Sequence, residues 1–115
     1  MNPKEKRIKP RTQANEKVTV TDINSGRLLG NLVNISQGGF MLVSDVAPNP
    51  GQLFQLRLLL PTPILDQGHI ELGAECLWCQ EASDSDGYCW AGFQIIDVSE
   101  QGADLIEQLV SRWTD

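Results

Sequence analysis

Residues 69 to 81 alternate apolar and polar side chains with a period of two. Ile70, Leu72, Ala74, Cys76 and Trp78 fall on one face, and His69, Glu71, Gly73 and Glu75 on the other. Residues two apart share a face only in an extended strand, so this segment is committed to a half-buried β-strand. A strand that is apolar on one face must bury that face against other strands. The rest of the chain has to supply them.

Five more segments do so. Val18 and Val20 alternate with Thr19 and Thr21, and the run ends in Asn24-Ser25-Gly26, which is turn chemistry. Residues 27 to 35 resume as a second strand, so residues 17 to 35 read as a β-hairpin. Ser36-Gln37-Gly38-Gly39 breaks it, and Phe40-Met41-Leu42-Val43 forms a short third strand. In residues 53 to 60, Phe54, Leu56, Leu58 and Leu60 share a face, and Pro61-Thr62-Pro63 predicts a stop followed by a connecting loop to residue 68. Residues 88 to 97 form the last strand, with Cys89, Ala91, Phe93 and Ile95 on one face. The period then changes. Ser99 suits an N-cap, Glu100 a first helical turn, and Leu105, Ile106, Leu109, Val110 and Trp113 recur at helical spacing. A helix of about 14 residues follows from these signals. Six short strands and one helix predict an all-β fold, a six-stranded antiparallel barrel with the C-terminal α-helix packed on an open end.

Residues 1 to 14 do not fit this pattern. They are charged, contain Pro3 and Pro10, and offer almost no apolar surface beyond Ile8, so they predict a flexible basic arm. The barrel and helix then occupy residues 15 to 115 as a single domain, in keeping with a chain of 115 residues. The charge is divided in the same place. Residues 4 to 11 hold five cations (Lys4, Lys6, Arg7, Lys9, Arg11) and one anion, which leaves four cations and fourteen anions for the rest of the chain. An acidic barrel repels nucleic acid, and its basic residues are not spread along a groove, so neither DNA nor RNA is an expected partner. No apolar run is long enough to span a bilayer and no apolar core follows the basic N-terminus. The expected location is cytoplasmic, without membrane insertion.

The candidates for catalysis and metal binding are weak. His69 is the single histidine and has no nucleophile suggested beside it. Cys76-Leu77-Trp78-Cys79 is a C-x-x-C, but a separation of three along a strand predicts opposite faces for its two thiols. With Cys89 the count is odd, which argues against a disulfide framework. Asp84-Ser85-Asp86-Gly87 begins like a calcium loop, but the twelfth position, where a bidentate acid is needed, is Ile95. No enzyme activity, cofactor or metal is expected.

Two short motifs carry more. Arg7-Ile8-Lys9-Pro10-Arg11 is an R-x-x-x-R, and Asn34-Ile35-Ser36-Gln37-Gly38-Gly39 is an N-x-S-x-x-G at a strand end. A guanidinium fork binds phosphate oxygens, or the O6/N7 edge of guanine, in bidentate fashion. Glycines let a ligand approach bare backbone. Taken singly, the first is equally a solvated tail and the second equally a β-bulge.

As a pair, separated by residues 12 to 33, they resemble the signature of the PilZ family of bacterial cyclic di-GMP receptors. The resemblance extends to Trp78 near a strand end and to Gly92-Phe93-Gln94-Ile95-Ile96-Asp97-Val98-Ser99 before the helix, with Ile95 where the family usually has an aromatic residue. Lys6 also stands where another arginine often precedes the first of the motif, which leaves ligand stoichiometry open. The resemblance implies a six-stranded barrel with a C-terminal helix. It implies cyclic di-GMP binding by Lys6, Arg7, Arg11, Asn34, Ser36, Gly38 and Gly39, no catalysis, and a signal passed to an unidentified effector protein. The alternative is a ligand-independent adaptor of pilus or secretion machinery.

Overall fold

A computed structural model describes residues 11–81 and 87–114. Its elements are β1 (Thr12–Gln13), β2 (Thr19–Asp22), β3 (Leu28–Ile35), β4 (Gly39–Ser44), β5 (Leu53–Ile64), β6 (Gln67–Glu81), β7 (Cys89–Val98) and α1 (Glu100–Trp113). The strands run in the order β1-β3-β2-β5-β6-β7-β4, every pairing is antiparallel, and β4 also pairs with β3. That last pairing closes six strands into a barrel, with β1 as a seventh, two-residue strand laid on β3. The predicted barrel and C-terminal helix are both present.

The period-two faces account for the interior. Val18, Val20, Leu42, Leu56, Leu58 and Phe93 are fully buried, while Gln55, Arg57 and Leu59 between the buried positions of β5 point outward. Phe93 organises the centre: its ring stacks on Phe40 with centroids 5.1 Å apart and meets Phe54 edge-on at 5.8 Å. Such aromatic geometry adds specificity to simple burial. Helix α1 packs Leu105, Ile106, Leu109 and Trp113 against the barrel, where it meets β6, β5 and β1. Ser99 caps it as predicted, its Oγ accepting the Gly102 N–H at 3.0 Å.

Three local departures from the sequence pattern have physical causes. First, β5 does not stop at Pro61; it runs to Ile64 and turns through Leu65 and Asp66, at φ 50° and 65°. Positive φ at both central residues is the geometry of a tight two-residue hairpin. The prolines are tolerated because β2 pairs with β5 only as far as Leu59, so beyond that point β5 is an edge where a missing N–H costs little. Second, Thr12 and Gln13 form β1, opposite Ile35 and Asn34, where the sequence predicts irregular structure. Third, β6 is bulged: Cys76 lies opposite Phe93, yet Trp78 lies opposite Gly92 and Cys79 opposite Ala91. The extra residue, Leu77, resets the alternation. Trp78, expected on the core face, therefore turns outward and is 37% exposed. Cys79, expected on the outer face, instead packs against the core.

Phe93→Ala removes the ring on which two others pack. It is expected to lower the unfolding free energy by about 3–5 kcal/mol, measured by urea denaturation.

Candidate functional site

The sequence motifs converge where β1, β3 and β4 meet. β1 holds the residues after Arg11 against Asn34 and Ile35, and Ala14 N–H donates to Val33 O at 2.8 Å. This brings the Arg11 guanidinium onto Gly39: a Cβ built on Gly39 would lie 3.6 Å from an Arg11 Nη. The second arginine of R-x-x-x-R thus sits on the last glycine of N-x-S-x-x-G. Arg7 and Lys6 lie outside the described residues.

The turn between β3 and β4 is self-supporting. Ser36 N–H donates to Gly39 O at 2.8 Å, Ser36 Oγ accepts from Gly38 N–H at 3.2 Å, and the hydroxyl in turn donates to Gly39 O at 3.4 Å. Ser36 therefore acts mainly by fixing the turn. From the other side, Ile95 N–H donates to Gly38 O at 2.9 Å, and Gln37 Nε2 donates to Ala103 O of α1 at 3.4 Å. The two glycines differ in kind. A Cβ at Gly39 would stand 2.4 Å from Phe93 O, so the close approach of β4 to β7 demands glycine there. A Cβ at Gly38 would meet nothing within 4 Å.

Asn34 is only 8% exposed, and its Oδ1 has no hydrogen-bond partner among the described residues. Leaving a buried acceptor unpaired costs on the order of 1–3 kcal/mol. Asn31, on the same outer face of β3, has an Oδ1 in the same condition, but only Asn34 has the arm strand β1 paired with it.

A fourth member of this surface was not picked out from the sequence as a site residue. Asn34 pairs with Met41, Met41 with Gly92, and Gly92 with Trp78, which makes one outward-facing row across β3, β4, β7 and β6. Three strand spacings put its ends roughly 14 Å apart. A Cβ at Gly92 would lie 2.2 Å from Trp78 Nε1, so the indole lies directly over that glycine. The bulge at Leu77 brings the ring there. The adjacent apolar pair Leu77-Trp78, which breaks strict alternation, was its trace in the sequence.

The arm strand is also tied to the helix. Glu16 Oε1 accepts from Trp113 Nε1 at 2.9 Å and pairs with Arg112 Nη2 at 2.8 Å. Among the described residues, no group of three or more His, Cys, Asp or Glu side chains could hold a metal ion, and no helix is long and apolar enough to cross a membrane.

Gly39→Ala is expected to destabilise the fold by about 1–3 kcal/mol through overpacking. Gly38→Ala should stay within about 0.5 kcal/mol of wild type. Paired denaturant titrations check both.

The comparisons with known proteins agree with this fold. The PilZ domain family model matches residues 5–112. The PilZ domain with c-di-GMP of YcgR from Escherichia coli superposes with a TM-score of 0.70 at 17% identity, covering 94% of this chain and 91% of that one. The Bacillus subtilis inhibitor of motility MotI/DgrA gives 0.71 at 18% identity, covering 97% of this chain and 55% of that one. K. pneumonia MrkH in its apo state gives 0.67 at 16% identity, covering 90% and 49%. The chain thus spans about half the length of the last two. No curated protein sequence matches it. With the family pattern matched over nearly the whole chain and the barrel, helix and convergent motifs in place, the protein belongs to the PilZ domain family.

Proposed function

We propose that this protein is a non-enzymatic receptor for cyclic di-GMP, which it holds between its basic N-terminal arm and the outer face of β3, β4, β7 and β6. The observation that carries this reading is the buried Asn34 Oδ1, without a partner among the described residues, on the strand that β1 pairs with, together with the Arg11 guanidinium close to Gly39. A guanine edge presents N–H donors that match the first, and a phosphate or the guanine O6/N7 edge presents acceptors that match the second. The family membership and the similarity to the c-di-GMP-bound PilZ domain of YcgR support the same ligand.

In this reading Arg7 and Arg11 grip guanine and phosphate groups, with Lys6 adding charge. Asn34 accepts from a purine edge, and Ser36 sets the turn that presents it. Gly38 leaves the approach open, Gly39 lets β4 lie flat, and Trp78 offers a ring for stacking. The arm before β1 becomes ordered on binding, and the ordered arm is the signal that a partner protein reads. The protein works in the cytoplasm, with neither nucleic acid nor membrane as a direct partner.

Titration calorimetry tests the ligand. Wild type should bind cyclic di-GMP and neither GTP nor cyclic AMP. Arg11→Ala should lose at least tenfold in affinity, and Asn34→Ala a similar factor for one charge-assisted or buried hydrogen bond. Failure of wild type to bind would move the protein to the ligand-independent adaptors. Hydrogen exchange over residues 4 to 12 tests the arm: protection should rise at saturating ligand, and unchanged exchange would remove arm ordering from the mechanism.

A further inference from the structure

The C-x-x-C motif has no part in the ligand site, yet the bulge at Leu77 changes what it can do. Had β6 been regular, Cys76 and Cys79 would face opposite ways. Instead Cys79 lies opposite Ala91, which is fully buried, and so faces inward together with Cys89, two residues further along β7. Cys89 is itself buried. The two side chains are near enough for Cys79 to act on the Cys89 thiol. Cys79 is partly exposed and is the one of the three free thiols that solvent reaches to an appreciable degree.

We propose that Cys79 and Cys89 are a covalent modification site, forming a reversible intrachain disulfide when a hydroperoxide reaches the β6–β7 end of the barrel. This inference does not depend on the ligand reading. Diagonal positions on one face of an antiparallel pair lie about 7–8 Å apart, so the start of β7 must close slightly on β6 for the two sulfurs to bond. Cys76 is not the partner. It lies opposite Phe93, four residues along β7 from Cys89, or roughly 13 Å of strand. Its Sγ is also turned to Trp78 O, at 3.5 Å.

The two thiols have different roles. Burial first, then the hydrogen bond and charge of Cys79, then Glu81 and Asp45, push the Cys89 thiol up to about 11. At neutral pH it remains protonated and donates to Val46 O at 3.5 Å. Cys79, the thiol that solvent reaches, is therefore the attacking sulfur, and the buried Cys89 is the resolving one. The Cys79 thiol loses its proton and its sulfur attacks one peroxide oxygen. The O–O bond breaks, leaving a sulfenic acid on Cys79, and the departing oxygen leaves as water (or as alcohol from an organic hydroperoxide) with that proton. The Cys89 sulfur then attacks the sulfenic sulfur, the S–O bond breaks, and the hydroxyl leaves as water with the Cys89 proton. Two thiols give up two electrons and one hydroperoxide takes them. The product encloses residues 80 to 88 and fixes Trp78 and Trp90, each the immediate neighbour of a bonded cysteine.

The test is to treat the full chain with hydrogen peroxide, titrate free thiols and map the peptides without reduction. The expected result is loss of two of the three thiols, a single intrachain Cys79–Cys89 bond, and recovery of both thiols with dithiothreitol. Cys76→Ser should behave as wild type. Cys79→Ser, a change at a partly exposed position, should keep the fold by circular dichroism and form no intrachain bond. A bond to Cys76, only interchain dimers, sulfinic acid at Cys79 without a crosslink, or three unreacted thiols would each overturn the proposal.

Discussion

The structure depends on β4 pairing along both of its edges. On one side it pairs with β3 through Asn31 to Ile35, and on the other with β7 through Cys89 to Gln94. Without the second pairing the sheet would be open, with a β4 edge on one side and a β7 edge on the other, and exposed strand edges invite association. With it, the sheet closes around Phe40 and Phe93, which come from the two strands that meet there. The fit is close enough that β4 must begin with a residue lacking a side chain, because Phe93 O occupies the space a Cβ would need. Gly39 is thus part of the N-x-S-x-x-G motif and part of barrel closure, so a change there disturbs both.

Closure also creates the surface on which the candidate site lies. Antiparallel neighbours face the same way, so a residue on β3 is carried in register across β4 and β7 to β6. The row from Asn34 through Met41 and Gly92 to Trp78 follows from that rule. Its two ends are polar and aromatic, and the indole of Trp78 can lie down over Gly92 because that residue has no side chain. Nothing local in the sequence connects Asn34 to Trp78. Only the strand order does.

Much of the fold was legible because burial imposes a period. The alternations in residues 53 to 60 and 69 to 76, and the helical spacing from Leu105 to Trp113, each reflect one face turned to one core. What could not be read were features set by neighbours. Whether Pro61 ends a strand depends on whether another strand flanks it there, and β2 ends its pairing at Leu59. The bulge at Leu77 depends on matching β6 to β7, and one added residue exchanged the faces of Trp78 and Cys79. In the candidate site, the two motifs were visible as motifs, but their meeting was not. It required β1, a two-residue strand too short to have a period. The turn chemistry of Ser36 and the steric need for Gly39 were likewise invisible, since both rest on hydrogen bonds and backbone contacts rather than on residue type.

The tie between Glu16 and the end of α1 bears on the order in which the molecule is assembled. The Trp113-to-Glu16 hydrogen bond joins residues 97 apart in sequence. Closing so long a loop early would cost entropy that a single contact cannot offset. The barrel must therefore bring the two segments together first, and long-range contacts of this kind form late in folding. The root of the arm is thus among the last parts to dock, and by the same reasoning among the cheapest to release without disturbing the core. The proposed ligand surface borrows one wall from this segment, so loss of that wall would cost less than global unfolding.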